Sequence, residues 1–169
     1  MKKKPNQPSK KGLYIAIGIG IVIVILVIGI SYYVDQARIA GQRFGNSLDQ
    51  IQTELKRETS DYESKKKIWQ EGELTKDELI KISGEHLKNL EIIVKKYDEL
   101  SPPQAFISSV ELFKRSTQAQ LESDELLKEW IETNDDSAKI RSDELMQQSF
   151  EYETSALASY NSAKKGYTP

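Results

Sequence analysis

Cysteine is absent from this 169-residue chain, histidine occurs once and tryptophan twice. Without cysteine there is no disulfide framework, no Cys-x-x-Cys-His attachment for a c-type haem, and no zinc site of the Cys/His kind. One histidine cannot supply the pair of Glu-x-x-His motifs that a di-iron bundle requires. With no cysteine and no second histidine, His-assisted nucleophilic catalysis also lacks its partner group. Helix breakers are scarce in the longer part of the chain. After residue 45 the only prolines are Pro102, Pro103 and Pro169, and the only glycines are Gly72, Gly84 and Gly166.

Charge is missing from one stretch altogether. Gly12 to Val34 contains no acidic or basic residue, and Leu13 to Tyr33 reads LYIAIGIGIVIVILVIGISYY. At about 1.5 Å per residue such a helix spans roughly 31 Å, close to the ~30 Å core of a bilayer. Ile and Val are poor helix formers in water. In hydrocarbon an unpaired backbone group is so unfavourable that the helix prevails. Tyr14, Tyr32 and Tyr33 stand where interfacial aromatic residues are expected. Residues 1–12 carry Lys2, Lys3, Lys4, Lys10 and Lys11 and no acid, whereas Asp35 follows the span. The positive-inside rule therefore predicts a transmembrane helix over 13–34, a basic cytoplasmic tail over 1–12, and a C-terminal part outside the membrane. A cleaved signal peptide is the competing reading, since Gly29-Ile30-Ser31 has a small-x-small pattern. The apolar run is longer than an ordinary signal core, and two tyrosines follow the cut. Gly12, Ala16 and Gly20 recur every four residues and share one helix face, a spacing that lets a second transmembrane helix approach closely. They are the candidate contact residues for a homo-oligomer or for a larger membrane complex.

The near-neutral total of 24 basic and 26 acidic residues conceals a division. The tail holds five lysines, which leaves residues 35–169 with a net charge of −7. That part is one third apolar and one third charged, enough for the seam of an amphipathic bundle. Its pattern predicts an all-α fold: a stalk over 35–45, a bundle over 46–165 and a C-terminal tail over 166–169. Helix one is expected over 35–70, on the heptad-like row Phe44, Leu48, Ile51, Leu55, Tyr62 and Trp69, with Glu58 and Lys65 in the skipped seam positions. Thr75 and Glu78 form a capping-box signature for helix two, over 76–100. Its apolar rows are Ile80, Leu87 and Val94, and Leu79, His86, Ile93 and Leu100. Pro102 and Pro103 break it, and Pro103 opens helix three over 103–132. There Phe106, Val110, Phe113, Leu127 and Ile131 face inward. The adjacent row of Ala105, Ser109, Leu112, Ser116, Ala119 and Ser123 is mostly small, so a partner helix can pack closely there. After a polar Asn/Asp turn, helix four over 137–165 presents Leu145, Phe150, Tyr152, Ala156, Leu157 and Tyr160. Short connections make sequential helices antiparallel neighbours, giving an up-down-up-down, four-helix bundle with Trp69 and Trp130 at the same end.

No catalytic, cofactor-binding or metal site stands out. His86 reads as a hydrogen-bonded core or boundary residue. The carboxylate pairs, among them Asp77/Glu78, Asp124/Glu125, Asp135/Asp136 and Asp143/Glu144, read as solvated helix faces, and Asp135-Asp136 lacks the ligand spacing of a calcium loop. Lys65-Lys66-Lys67 lies in an acidic surround, which argues against nucleic acid as a partner. The tail lysines suit anionic lipid head groups.

Pro102-Pro103, a long helix to Thr133, the turn Asn134-Asp135-Asp136 and a further helix from Ser137 together resemble uncharacterised, single-pass membrane-anchored helical-bundle proteins of prokaryotes. The Ile-rich anchor and the Lys/Ser/Glu-rich outer part are similar to those of ammonia-oxidising archaea. The resemblance covers about half of the chain and brings no catalytic residues. The expectation is a non-enzymatic cell-envelope protein, with no cofactor, whose bundle binds a protein partner or acts as a spacer. Its alternatives are an accessory subunit of a membrane complex, or a small-ligand or sensory bundle with a cavity among Phe106, Phe113, Phe150 and Tyr160.

Overall fold

The computed structural model describes the backbone of residues 10–166 and the side chains of residues 39–166. The span expected over 13–34, with Gly12, Ala16 and Gly20, lies outside the residues whose side chains are described. Among those that are described, no helix is long and apolar enough to cross a membrane. Two compact units are distinguished, Met1–Gln42 and Arg43–Pro169. The described residues are all-helical and contain no strand. They form α1 (Lys10–Gln70), α2 (Lys76–Asp98), a 3-10 turn (Gln104–Phe106), α3 (Ile107–Thr133) and α4 (Asp136–Gly166).

Local chemistry sets the helix ends. Gly72, at φ +80°, closes α1. Its amide donates to the Trp69 carbonyl at 3.0 Å, and the Glu73 amide donates to Ile68 at 3.1 Å. This is a Schellman closure around a residue without a Cβ. Thr75 opens α2 with a full capping box. The Glu78 amide donates to Thr75 Oγ1 at 3.3 Å, and the Thr75 amide donates to Glu78 Oε2 at 2.9 Å. The Thr75 hydroxyl, which donates to Glu78 Oε2 at 2.6 Å, and then the Thr75 amide hold the Glu78 carboxyl below its ordinary value. α2 ends at Asp98, just before Ser101-Pro102-Pro103, and Pro103 caps the 3-10 turn that leads into α3. Asn134 ends α3 in the left-handed region at φ 58°, and its amide donates to the Trp130 carbonyl at 2.8 Å.

Within the unit from Arg43 onward the helices alternate in direction. Tyr62 of α1 meets Ser83 of α2, and Glu54 meets Lys96, so the numbers rise along one helix as they fall along the other. The α3–α4 pair shows the same antiparallel register through Ser116–Ser149 and Ser123–Ser142. Trp69 and Trp130 lie edge to face at 6.2 Å, so the two rings share one end. The core falls into two apolar clusters. One gathers Phe44, Leu48 and Ile51 of α1 with Leu90, Ile93 and Tyr97 of α2, Phe106, Val110 and Phe113, and Ala156 of α4. The other gathers Tyr62, Leu79, Leu127 and Ile131, with Trp69 and Trp130 against them. Phe44 is 6% exposed and stands 5.3 Å from the Phe106 ring, so the core already includes it.

α4 turns a different face inward from the one its large apolar residues suggest. Phe150 is 58% exposed and Leu157 47%, while Ala138, Ser142, Ser149 and Ala156 are buried. Ser142 and Ser149 lie against the small row of α3, and Ala156 joins the first apolar cluster. Ser116 and Ser149 donate to each other's carbonyl oxygens at 2.9 Å, and Ser123 donates to the Ser142 carbonyl at 2.7 Å. Hydroxyl-to-backbone bonds across a helix pair require close axes, and only small side chains allow that approach. A larger residue at 142 or 149 would push α4 away and break them.

Candidate functional site

Between the two apolar clusters lies a polar level. His86 of α2 is 2% exposed. Its Nδ1 lies 3.0 Å from Glu58 Oε1 of α1, and its Nε2 lies 3.2 Å from Asp124 Oδ2 of α3. Glu58 Oε1 also accepts from Asn89 at 3.1 Å. Tyr62 stacks flat on the imidazole, with ring centroids 4.1 Å apart, and its hydroxyl meets Ser83 Oγ at 2.8 Å. Each ring nitrogen thus faces a carboxylate oxygen, and the three groups tie three helices together at one level. Burial pushes the Tyr62 phenol up to about 12, and Asp124 adds to the shift.

Asp124 is 1% exposed, and its Oδ1 has no hydrogen-bond partner. A buried, unpartnered carboxylate oxygen is unfavourable, and native interiors hold few of them. Asp124 also lines a groove of about 850 Å³ between α1 and α4, floored by α3. Ser123, Leu127 and Ser142 contribute to its floor, and Trp69, Trp130 and Phe150 to its walls. A second cleft of about 530 Å³ shares Thr59, Ser60, Gln120 and Phe150 with the first and extends it to Gln52 and Leu55. Gln120 bridges this face by donating to Thr59 Oγ1 at 2.8 Å. The groove thus runs along α1 from Gln52 to Gln70. Its length is roughly 27 Å at the helical rise, about that of an 18-residue helix. It exists because α4 leans on α3 through the small-residue seam and leaves its own Phe150 and half-buried Met146 on the α1 side.

Among the described residues, no group of three or more His, Asp or Glu side chains is placed to hold a metal ion. Asp135 accepts from the Ser137 amide at 2.9 Å, and the Ser137 side chain and then its amide hold the Asp135 carboxyl below its ordinary value. The cavity expected among Phe106, Phe113, Phe150 and Tyr160 is not assembled. Phe106 and Tyr160 pack ring to ring at 5.2 Å, and only Phe113 and Phe150 line the cleft. Sequence reasoning missed Asp124, which it assigned to a solvated face. The available signal was its spacing from the inward residues Thr117, Gln120, Leu127 and Ile131. Glu58 did carry a signal, because it sits in a seam position of the α1 heptad.

Compared with protein-family models, curated proteins and solved structures, the chain matches none.

Proposed function

We propose that this protein is a non-enzymatic domain of the cell envelope, anchored by the helix over residues 13–34, that binds a partner protein through the groove between α1 and α4. The single observation that carries the binding role is that groove. It is long and open, with a mostly polar α1 wall, and its apolar surface comes from Trp69, Leu127, Trp130, Met146 and Phe150, the last 58% exposed. A partner helix would bury Phe150, Met146 and the Trp69 edge, as amphipathic helices do in hydrophobic grooves. Anchoring rests on the uncharged apolar run, and orientation on the five lysines before it, which favour a cytoplasmic N-terminus and an outer bundle. The lipid bilayer is thereby one partner and the groove's occupant the other.

Site-specific photocrosslinking in the membranes of cells that make the protein tests this reading. A benzoylphenylalanine at Phe150 should give a discrete adduct with one partner. The same group at Ile92, which is 51% exposed on α2 and does not line the groove, should give none. Equal labelling from both positions, or none from Phe150, defeats the groove reading. Cleavage of the bundle by protease added to intact cells checks the orientation.

A further inference from the structure

We infer that the helix received by the groove carries an acidic side chain on one flank of its apolar stripe and a basic one on the other. The acid meets Lys56 of α1 and the base meets Glu153 of α4. The inference rests on the groove reading above and adds the chemistry of its occupant. It follows from which of the groove's charges are already paired. On the α1 wall Lys66 pairs with Glu63 and Lys67 with Glu71, and on the α4 wall Lys139 pairs with Asp143. Each pair lies three or four residues apart on one helix, so both walls are neutralised from within along that stretch. Lys56 and Glu153 differ. Both are exposed, and they line the cleft of about 530 Å³ at the Gln52 end from opposite walls. Among the described residues neither forms an ion pair or a hydrogen bond, with the other or with a third group.

The floor between them supplies no counter-charge. Ser116 and Ser149 bond to each other's carbonyl oxygens, Gln120 donates to Thr59, and Leu55, Phe113 and Phe150 are apolar. The cleft is therefore polarised across its width, with a cation on one side, an anion on the other and apolar surface between. A uniformly basic or uniformly acidic helix gains at one wall and loses at the other. A helix with one charge of each sign gains at both. At about 100° per residue, side chains about five positions apart flank a seam, whereas those about three or four apart pair with each other. Reversing such a helix brings like charges together, so the two residues also fix the direction in which it lies.

The test uses the full-length chain in phosphatidylcholine nanodiscs, with benzoylphenylalanine at Phe150, and designed helical peptides of about 18 residues, the length of the groove. All the peptides share one leucine stripe, and their flanks carry Glu and Lys, Lys and Lys, or Glu and Glu. Adduct yield against peptide concentration gives the affinity, and the same group at Ile92 reports labelling outside the groove. The mixed peptide should bind about three-fold tighter than either uniform one, and the difference should shrink at about 0.5 M salt, since exposed pairs are weak and screened. Lys56→Glu should make the doubly basic peptide the tightest, and Glu153→Lys the doubly acidic one. Combining the two exchanges should restore the preference for the mixed peptide. Both positions are exposed, so the variants leave the packing intact. Equal binding of all the peptides, a ranking unmoved by either single exchange, or no adduct from any peptide overturns the inference. The Phe150 adduct in cell membranes is a separate measurement, so an adduct there with equal binding here retains the groove and discards its polarity.

Discussion

Ser116 on α3 and Ser149 on α4 each donate to the other's backbone carbonyl at 2.9 Å, and their hydroxyl oxygens lie 3.2 Å apart. The pair fixes both the separation and the register of the two helices, because the bonds form only when the backbones are close and aligned. Ser149→Leu should therefore lower stability by about 1–3 kcal/mol through overpacking. Ser149→Ala, which keeps the small volume and loses one hydroxyl, should lose only about 1 kcal/mol. Urea unfolding of the purified chain, followed by tryptophan fluorescence, orders the two. A leucine tolerated as well as the alanine would show that α3 and α4 are not held at this distance.

The Glu58–His86–Asp124 level makes a second prediction. Removing the imidazole leaves the Glu58 and Asp124 carboxyls in the interior without the partner they share, so His86→Leu should cost about 3–5 kcal/mol. Combining it with Glu58→Gln and Asp124→Asn removes both charges and should restore much of that loss. The same unfolding assay applies, and the triple variant must come out more stable than the single one. If it is weaker still, the three side chains hold the bundle by packing rather than by charge pairing.

How much of this was readable beforehand depended on whether hydrophobicity was the signal. The α1 heptad from Phe44 to Tyr62, the Thr75 capping box and the Pro102-Pro103 break all obey simple local rules, and the helices follow from them. α2 was read one position off in part. Ile80, Leu87 and Val94 are half-buried, whereas the inward row is Leu79, Ser83, His86, Leu90, Ile93 and Tyr97. α4 misled more, because its inward face is written in Ala and Ser and its Phe150 points to the groove. The small row on α3 announced a close neighbour, but hydropathy cannot tell that the matching row on α4 is equally small. The groove follows from that choice of face, so it stayed hidden. Asp124 stayed hidden for a related reason. A carboxylate at an inward position reads as a solvated residue until its partner His86 is placed beside it.

Two tyrosines should mark themselves at alkaline pH. Burial pushes the phenols of Tyr62 and Tyr97 up to about 12, from an ordinary value of 10.0. Both are raised, so the folded state keeps its protons where the unfolded chain loses them. The stability they contribute is fully present below pH ~10 and is lost as pH rises toward ~12. Melting temperature should therefore stay level with respect to these groups up to about pH 10 and fall beyond it. Tyr62→Phe combined with Tyr97→Phe should flatten that fall. Phenolate absorbance at 295 nm should show a late-titrating component in the native chain that disappears in the double variant. A native titration with no such component would contradict the burial of Tyr62 and Tyr97.

Asn134 supplies the final test, at the junction of α3 and α4. Its φ of 58° places it in the left-handed region, and its amide closes the last turn on the Trp130 carbonyl at 2.8 Å. Asparagine tolerates that conformation and glycine suits it better, whereas a β-branched residue pushes its Cβ toward the carbonyl. Asn134→Gly should leave stability nearly unchanged or slightly higher, and Asn134→Val should lower it by about 1–2 kcal/mol. The effect should extend to the aromatic pair, since the turn orients the end of α3 that presents Trp130 to Trp69. Near-ultraviolet circular dichroism reads that edge-to-face pair directly. Its band should persist in the glycine variant and diminish in the valine variant at temperatures well below the unfolding transition. A valine variant with the native band and native stability would mean that the turn does not set the geometry of the tryptophan end.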